Sequence, residues 1–162
     1  LAPHVVSNAL AAAALARAHG VPAGAVRDGL RTYRPGAHRV EHVATVDGVA
    51  YVDDSKATNA HAAAAALAGF APGTVVWVAG GLAKGAEVDA LVRDRADRLR
   101  AGGLVGRDPG SVRPRAVPAA RRLARAGVPV LLAPACASMD QFRSYAHRGE
   151  AFAAAARAHP GS

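Results

Sequence analysis

Cysteine is almost absent. Cys136 stands alone among 162 residues, which excludes an intramolecular disulfide and any thiolate metal cluster. A reducing, cytoplasmic setting is the default for such a chain. Aromatic residues are scarce at 4%, so the core has to be built from Ala, Val and Leu. Side chains that small bury little area each, and stability then depends on close helix–sheet contact. No apolar run reaches the length of a membrane span, and no basic-then-apolar segment of signal type is present; the run Ala11 to Ala14 is soon followed by Arg17. His4, His19, His38, His42, His61, His147 and His159 lack the spacing of structural zinc ligands, and no metal ligand is assigned to this chain.

What is present points to a globular domain. Hydrophobic residues make up 51% of the chain and mean hydropathy is +0.10, too apolar for disorder. The length fits one domain, or one domain plus a fragment of another. The formal net charge of +8 raises the local concentration of anionic ligands. The arginines are interleaved with acids along helices instead of forming a basic arm. Asp89, Asp94 and Asp97 among Arg93, Arg95, Arg98 and Arg100 read as a charged helix face. Leu1-Ala2-Pro3-His4 opens the chain without a methionine and runs at once into a helical pattern, as expected of a segment of a longer protein.

Two helices are expected first, over Ser7 to His19 and Ala23 to Thr32, with Gly20 as C-cap and Arg34-Pro35-Gly36 breaking the pattern. From His38 the texture changes. Val40 to Thr45 and Gly48 to Val52 read as strands joined at Asp47-Gly48, a strong hairpin pair. A helix over Ala60 to Leu67, a strand over Thr74 to Ala79 and an amphipathic helix over Val88 to Leu99 follow. A short strand over Gly103 to Val105, a loop over Gly106 to Pro114 and a helix over Val117 to Ala126 come next. A strand over Val128 to Ala133 and a helix over Gly149 to Ala158 end the series. Strands alternating with helices predict an α/β fold: a three-layer, Rossmann-like, mostly parallel sheet with one antiparallel edge strand, preceded by two helices of another unit.

Three strand ends carry unusual residues. In Tyr51-Val52-Asp53-Asp54-Ser55-Lys56-Ala57-Thr58-Asn59 a strand runs into two acids, a lysine and hydroxyl or amide side chains before an alanine-rich helix. Open α/β sheets bind ligands at such ends, and helix starts favour anions. Thr58 or Asn59 also suits a simple helix cap, whereas Lys56 lies between strand and helix. Gly80-Gly81-Leu82-Ala83-Lys84-Gly85 allows close backbone approach and adds an ammonium, and it equally suits a tight turn. It is not a P-loop, which needs four residues between its first glycine and Gly-Lys-Ser/Thr. At the third end, Pro134 to Phe142, Cys136 and Ser138 invite comparison with nucleophiles, but His147 is the nearest histidine and its spacing carries no triad logic. Cys136 reads as a small buried residue. Ser138 is a donor to a ligand, and Phe142 suits a ligand wall or the core. Asp53-Asp54 would suit a hydrated magnesium ion, though nothing requires one.

Four stretches resemble the Mur ligase family of peptidoglycan synthesis, in its D-glutamate-adding branch. They are Asn8-Ala9-Leu10-Ala11-Ala12, His38-Arg39-Val40-Glu41, Asp54 to Asn59, and Leu132 to Phe142 with Arg148-Gly149. With Gly80-Gly81 and Lys84-Gly85 the resemblance covers nearly the whole chain except roughly residues 107 to 125. It implies an ATP-dependent amide ligase of three domains. ATP phosphorylates the carboxylate of UDP-N-acetylmuramoyl-L-alanine, and the amine of D-glutamate attacks the acyl phosphate. Residues 1–36 then match the last helices of the central ATP-binding domain, and 37–162 the C-terminal domain. By position Asn8, Arg39 and Asp54 match nucleotide contacts. Lys56 lies in the same cleft and, with Thr58, Lys84, Ser138 and Phe142, belongs to the substrate set around D-glutamate. The family's P-loop, its Mg ligands, its N-terminal domain and most of its central domain lie outside this chain, so no catalytic residue is assigned within it. The resemblance implies a cytoplasmic enzyme, monomeric, with no nucleic-acid partner. Val5 stands where the family has an asparagine and Leu82 where an aspartate is common, and between Gly106 and Val128, where another strand and helix are expected, only one helix fits.

Two other function classes are compatible with parts of the chain. Helix, Gly20-Val21-Pro22, helix resembles a helix-turn-helix unit, and the basic charge suits phosphates, but that reading leaves the polar strand ends without a role. A non-catalytic α/β domain for assembly or regulation is the other alternative.

Overall fold

The computed structural model describes residues 3–81, 88–104 and 112–158. Two helices come first, α1 (Pro3–Ala18) and α2 (Ala23–Thr32), and they pack mainly on each other. Pro3 opens α1, where its missing N–H costs nothing. Gly20 (φ 90°) closes it, with Val21 N donating to Ala16 O across the cap. Leu10, Leu15, Leu30 and Tyr33 are exposed on this pair.

The rest is a sheet between two helical layers. Strands β1 (Glu41–Val46), β2 (Val49–Asp53), β3 (Val75–Ala79), β4 (Leu99–Leu104) and β5 (Val130–Leu132) stand in the order β1-β2-β5-β3-β4. All neighbours are parallel except β1 and β2. That pair turns through Asp47 (φ 52°) and Gly48 (φ 73°), both left-handed as a two-residue hairpin of the primed type requires. Helices α3 (Ala60–Leu67) and α4 (Val88–Arg95) cover one face and contact each other; α5 (Val112–Leu123) and α6 (Tyr145–Arg157) cover the other.

Strand alternation divides β3 between two cores. Val75, Trp77 and Ala79 face the α3 side, while Val76 and Val78 face the α5 and α6 side. Six of the eleven buried residues in the first core are alanines, so α3 lies close to the sheet, as the scarcity of aromatics required. Trp77 is 2% exposed, and its indole N–H donates to Ala133 O at 2.7 Å. Among the described residues no helix is long and apolar enough to cross a membrane.

Several element boundaries differ from the sequence reading: α1 starts at Pro3 instead of Ser7, and the strand expected from Gly103 is β4, which starts at Leu99. The helix expected to run to Leu99 ends at Arg95, followed by a 3-10 turn, Ala96–Arg98, and β4 starts at Leu99. The charge pattern continues past Arg95, but Leu99 pairs with Val75, and the carbonyls of Asp97 and Arg98 accept from Gly73 N and Thr74 N. Sheet hydrogen bonds outweigh helix propensity there. Helix α5 begins five residues before the expected Val117 and carries Pro118 inside it; a proline reads as a helix start, yet here the helix continues through it and forgoes one N–H bond. Helix α6 begins at Tyr145, capped by Ser144, whose Oγ accepts from His147 N at 3.1 Å. Gly149, taken as the start, is interior.

Candidate functional site

Neighbouring strands β2 and β5 lead to opposite faces: β2 runs on to α3, β5 to α6. Such a divergence opens a crevice at the carboxyl ends of the two strands, the switch point where doubly wound sheets hold ligands. The loops after β2 and β5 line it, and Gly80 and Gly81 at the end of β3 adjoin it through Gly80 N to Pro134 O at 2.9 Å. Gly81 has φ 133°, and a Cβ there would collide with Ala137 O, so only glycine lets the strand end approach the third loop. Lys84, Leu82 and Gly85 lie outside the described residues, as does most of the loop over 106–114.

The loop after β2 is built on a buried aspartate. Asp53 is fully buried; one carboxylate oxygen accepts from Ser55 N at 2.8 Å and the other meets His38 Nδ1 at 2.6 Å. That contact fixes the segment entering β1, whose backbone is in the left-handed region at both His38 (φ 63°) and Val40 (φ 50°). For a β-branched residue this is a strained conformation. It is held by Val40 N donating to Asp54 Oδ1 at 3.2 Å, His38 N to Glu41 Oε2 at 2.8 Å and Lys56 N to His38 O at 3.1 Å. Arg39 is thereby brought near Asp54. Burial pushes the Asp54 carboxyl up to about 7, with Asp53 adding to the rise and the Val40 amide and Arg39 opposing it.

Lys56 is half-buried, with its ammonium 4.1 Å from the centre of the Tyr145 ring, a cation–π contact. No carboxylate pairs with it among the described residues. Thr58 is exposed at the crevice rim, and Asn59 is the α3 cap, its Oδ1 accepting from Ala62 N at 2.8 Å. Across the crevice Ser138 is buried, and its carbonyl accepts from Gln141 N and Phe142 N. Phe142 is buried, with its ring edge-to-face with His147 at 5.5 Å. Cys136 is buried too, and burial pushes its thiol up, with Arg148 opposing; the nucleophile comparison has no support. Asn8 is exposed on α1, and no hydrogen bond among the described residues links it to the crevice.

Arg148 occupies the centre of this arrangement, and the sequence reading gave it no role. It is 4% exposed. Its Nε donates to Ser55 Oγ at 2.9 Å and its Nη2 to Ser55 O at 3.0 Å. Its Nη1 donates to Cys136 O at 3.1 Å and Ala137 O at 3.3 Å. One side chain on α6 thus ties the loop after β2 to the loop after β5. The next residue, Gly149, lies against the His38–Asp53 pair with no room for a Cβ. The adjacent Arg148-Gly149 was the available signal: one residue ties the two loops together while its neighbour must stay bare.

His38, Glu41 and Asp53 offer three ligand atoms within 4.8 Å of one another. They do not fit a magnesium ion: both Asp53 oxygens already have partners, and magnesium prefers an all-oxygen octahedral shell.

The family model described as "Mur ligase, glutamate ligase domain" matches residues 38–162. Proteins named "UDP-N-acetylmuramoylalanine--D-glutamate ligase" are similar over nearly the whole chain. The one from Streptomyces avermitilis is 58% identical over 179 residues, covering 96% of this chain and 38% of the relative. That of Streptomyces coelicolor is 55% identical with the same coverage, and that of Thermobifida fusca 54% identical over 97% of this chain and 38% of its own. The chain therefore spans under two-fifths of the length of these relatives. The aligned stretches of 179 and 180 residues exceed the 162 of this chain, so the relatives carry residues within them that it does not.

Proposed function

The chain belongs to the Mur ligase family, and on that premise we propose that it is the C-terminal part of an ATP-dependent ligase joining D-glutamate to UDP-N-acetylmuramoyl-L-alanine. Residues 37–162 form its C-terminal domain, and residues 1–36 are the last helices of a central ATP-binding domain. The enzyme works in the cytoplasm, as a monomer, in peptidoglycan synthesis. Its P-loop and Mg ligands belong to parts of the protein upstream of this chain.

The observation that carries the reading is the crevice between β2 and β5, with the Lys56 ammonium, which no carboxylate pairs among the described residues, on one wall and Ser138 on the other. A dicarboxylate needs cationic and hydroxyl donors converging from separate elements. Lys56, Thr58, Ser138 and Phe142, joined by Lys84, form the D-glutamate pocket. Asn8, Arg39 and Asp54 attend the nucleotide. The raised Asp54 carboxyl suits that place, because a group only partly ionised near neutral pH repels phosphate less than a free carboxylate does, and Arg39 beside it adds positive charge. ATP, when bound, supplies the phosphoryl group; this chain's residues orient the amine donor and contribute fixed positive charge near the reacting carboxylate.

The test is phosphate release by the full-length protein with ATP, UDP-N-acetylmuramoyl-L-alanine and a panel of D- and L-amino acids. Turnover dependent on D-glutamate is expected. Turnover indifferent to D-glutamate, or preferring a neutral amino acid, would overturn the proposal. Replacing Lys84 or Lys56 by alanine is expected to raise the KM for D-glutamate by about 10- to 100-fold, the loss of one charge-assisted contact.

A further inference from the structure

We propose that Arg148 is a positioning residue for the D-glutamate pocket: it fixes the gap between the loops after β2 and β5, and its charge is complemented by the carboxylate ligand bound between them. This rests on the function proposed above and assigns a residue outside the pocket set named there.

Among the described residues every group that accepts a hydrogen bond from Arg148 is neutral: the Ser55 hydroxyl and the carbonyls of Ser55, Cys136 and Ala137. No carboxylate contacts its guanidinium among the described residues. The acids that act on it do so from a distance. Asp53 is turned to His38 and Ser55 N, and Asp140 is exposed. Burial pulls the Arg148 pKa down to about 10, which still leaves it charged at neutral pH. A buried cation without a contacting anion is costly. Two loops can be tied together by a neutral amide at less cost, so the charge itself calls for an anion close by. The crevice at the switch point is where that anion binds.

The same side chain also orders the wall that carries Lys56. Ser55 Oγ accepts from Arg148 Nε and donates to Tyr145 O at 2.7 Å, so its proton direction is fixed. Tyr145 in turn presents the ring over which the Lys56 ammonium lies. Arg148, Ser55 and Tyr145 thus form a chain of contacts from the buried guanidinium to the exposed end of the pocket.

The experiment compares Arg148→Gln, Arg148→Lys and Ser55→Ala in the full-length protein. It measures kcat, the KM for each of the three substrates, and the melting temperature. Arg148→Gln is expected to raise the KM for D-glutamate by about tenfold or more, with the KM values for ATP and the UDP substrate within about twofold of wild type. Arg148→Lys, which keeps the charge, is expected to restore most of that loss, and Ser55→Ala to fall between. A purely structural role predicts that all three KM values and kcat decline together with the melting temperature; that pattern, or an unchanged D-glutamate KM, would overturn the proposal. If Arg148→Gln does not fold, the KM split in Arg148→Lys and Ser55→Ala decides it by the same criteria. Absence of D-glutamate turnover in the wild type would remove the proposed function and this inference together, whereas turnover with no selective KM change would remove this inference alone.

Discussion

Replacing Gly149 by alanine sets two opposing effects against each other. Gly149 is the fifth residue of α6, and alanine inside a helix is favoured over glycine by about 1 kcal/mol. Against this, a Cβ would overlap His38 Nδ1 and Asp53 Oδ2 and lie 2.9 Å from His38 Cε1. Asp53 is fully buried with both oxygens engaged, and the His38 side chain is only 15% exposed, so the pair has little room to retreat. Overpacking of this kind costs roughly 1–3 kcal/mol, and opening a buried bond to a charged group about 1.5–3 kcal/mol. Steric overlap wins, with a net loss of about 3 kcal/mol. Urea unfolding of the chain provides the assay, because Trp77 is its single tryptophan and is 2% exposed in the core. With a slope of about 2 kcal/mol per M, the midpoint falls by about 1.5 M. A double-mutant cycle with His38→Ala is expected to show the two changes to be less than additive, since the smaller side chain removes part of the overlap. A midpoint equal to or above that of the wild type would refute the reasoning, because propensity alone would then decide the outcome.

Three further outcomes are expected. Folded Asp54 keeps its proton to about pH 7, whereas the unfolded group loses it near the ordinary value of 3.8. The wild-type chain therefore loses stability as pH rises through that window and levels off above it. Asp54→Asn retains the acceptor for Val40 N without the charge, and is expected to be more stable than wild type at pH 8, by at most ~4 kcal/mol, with the difference vanishing below pH 4. Denaturation at both pH values checks this, and an equal difference at both would contradict it. Trp77→Phe leaves the buried Ala133 carbonyl without its indole donor and is expected to cost about 1–3 kcal/mol, read by far-UV circular dichroism melting; an unchanged melting temperature would count against that bond. The isolated 162-residue chain, which contains no P-loop sequence, is expected to release no phosphate from ATP with both substrates present, and activity above background would contradict the division of labour proposed here.

The sequence by itself determined the β–α rhythm, the Asp47-Gly48 hairpin, the Gly20 cap and the three polar strand ends. Each is encoded within a few residues, by side-chain period, by left-handed backbone at glycine or by composition at a strand end. It also pointed to Thr58 or Asn59 as the α3 cap, and only the hydrogen bond from Ala62 N selected Asn59. Where local pattern and tertiary pairing disagreed, pairing won: Leu99 left a helical charge pattern to pair with Val75 in the sheet. The site's inner workings lay beyond local reading. Placing β5 between β2 and β3 created the switch-point crevice, and no residue near β5 encodes that order. Arg148 and Ser55 are 93 positions apart, and His38 and Asp53 are 15. Their chemistry arises only when the packed sheet removes them from water, which leaves a helix arginine and a strand-end aspartate buried and held by hydrogen bonds from distant parts of the chain.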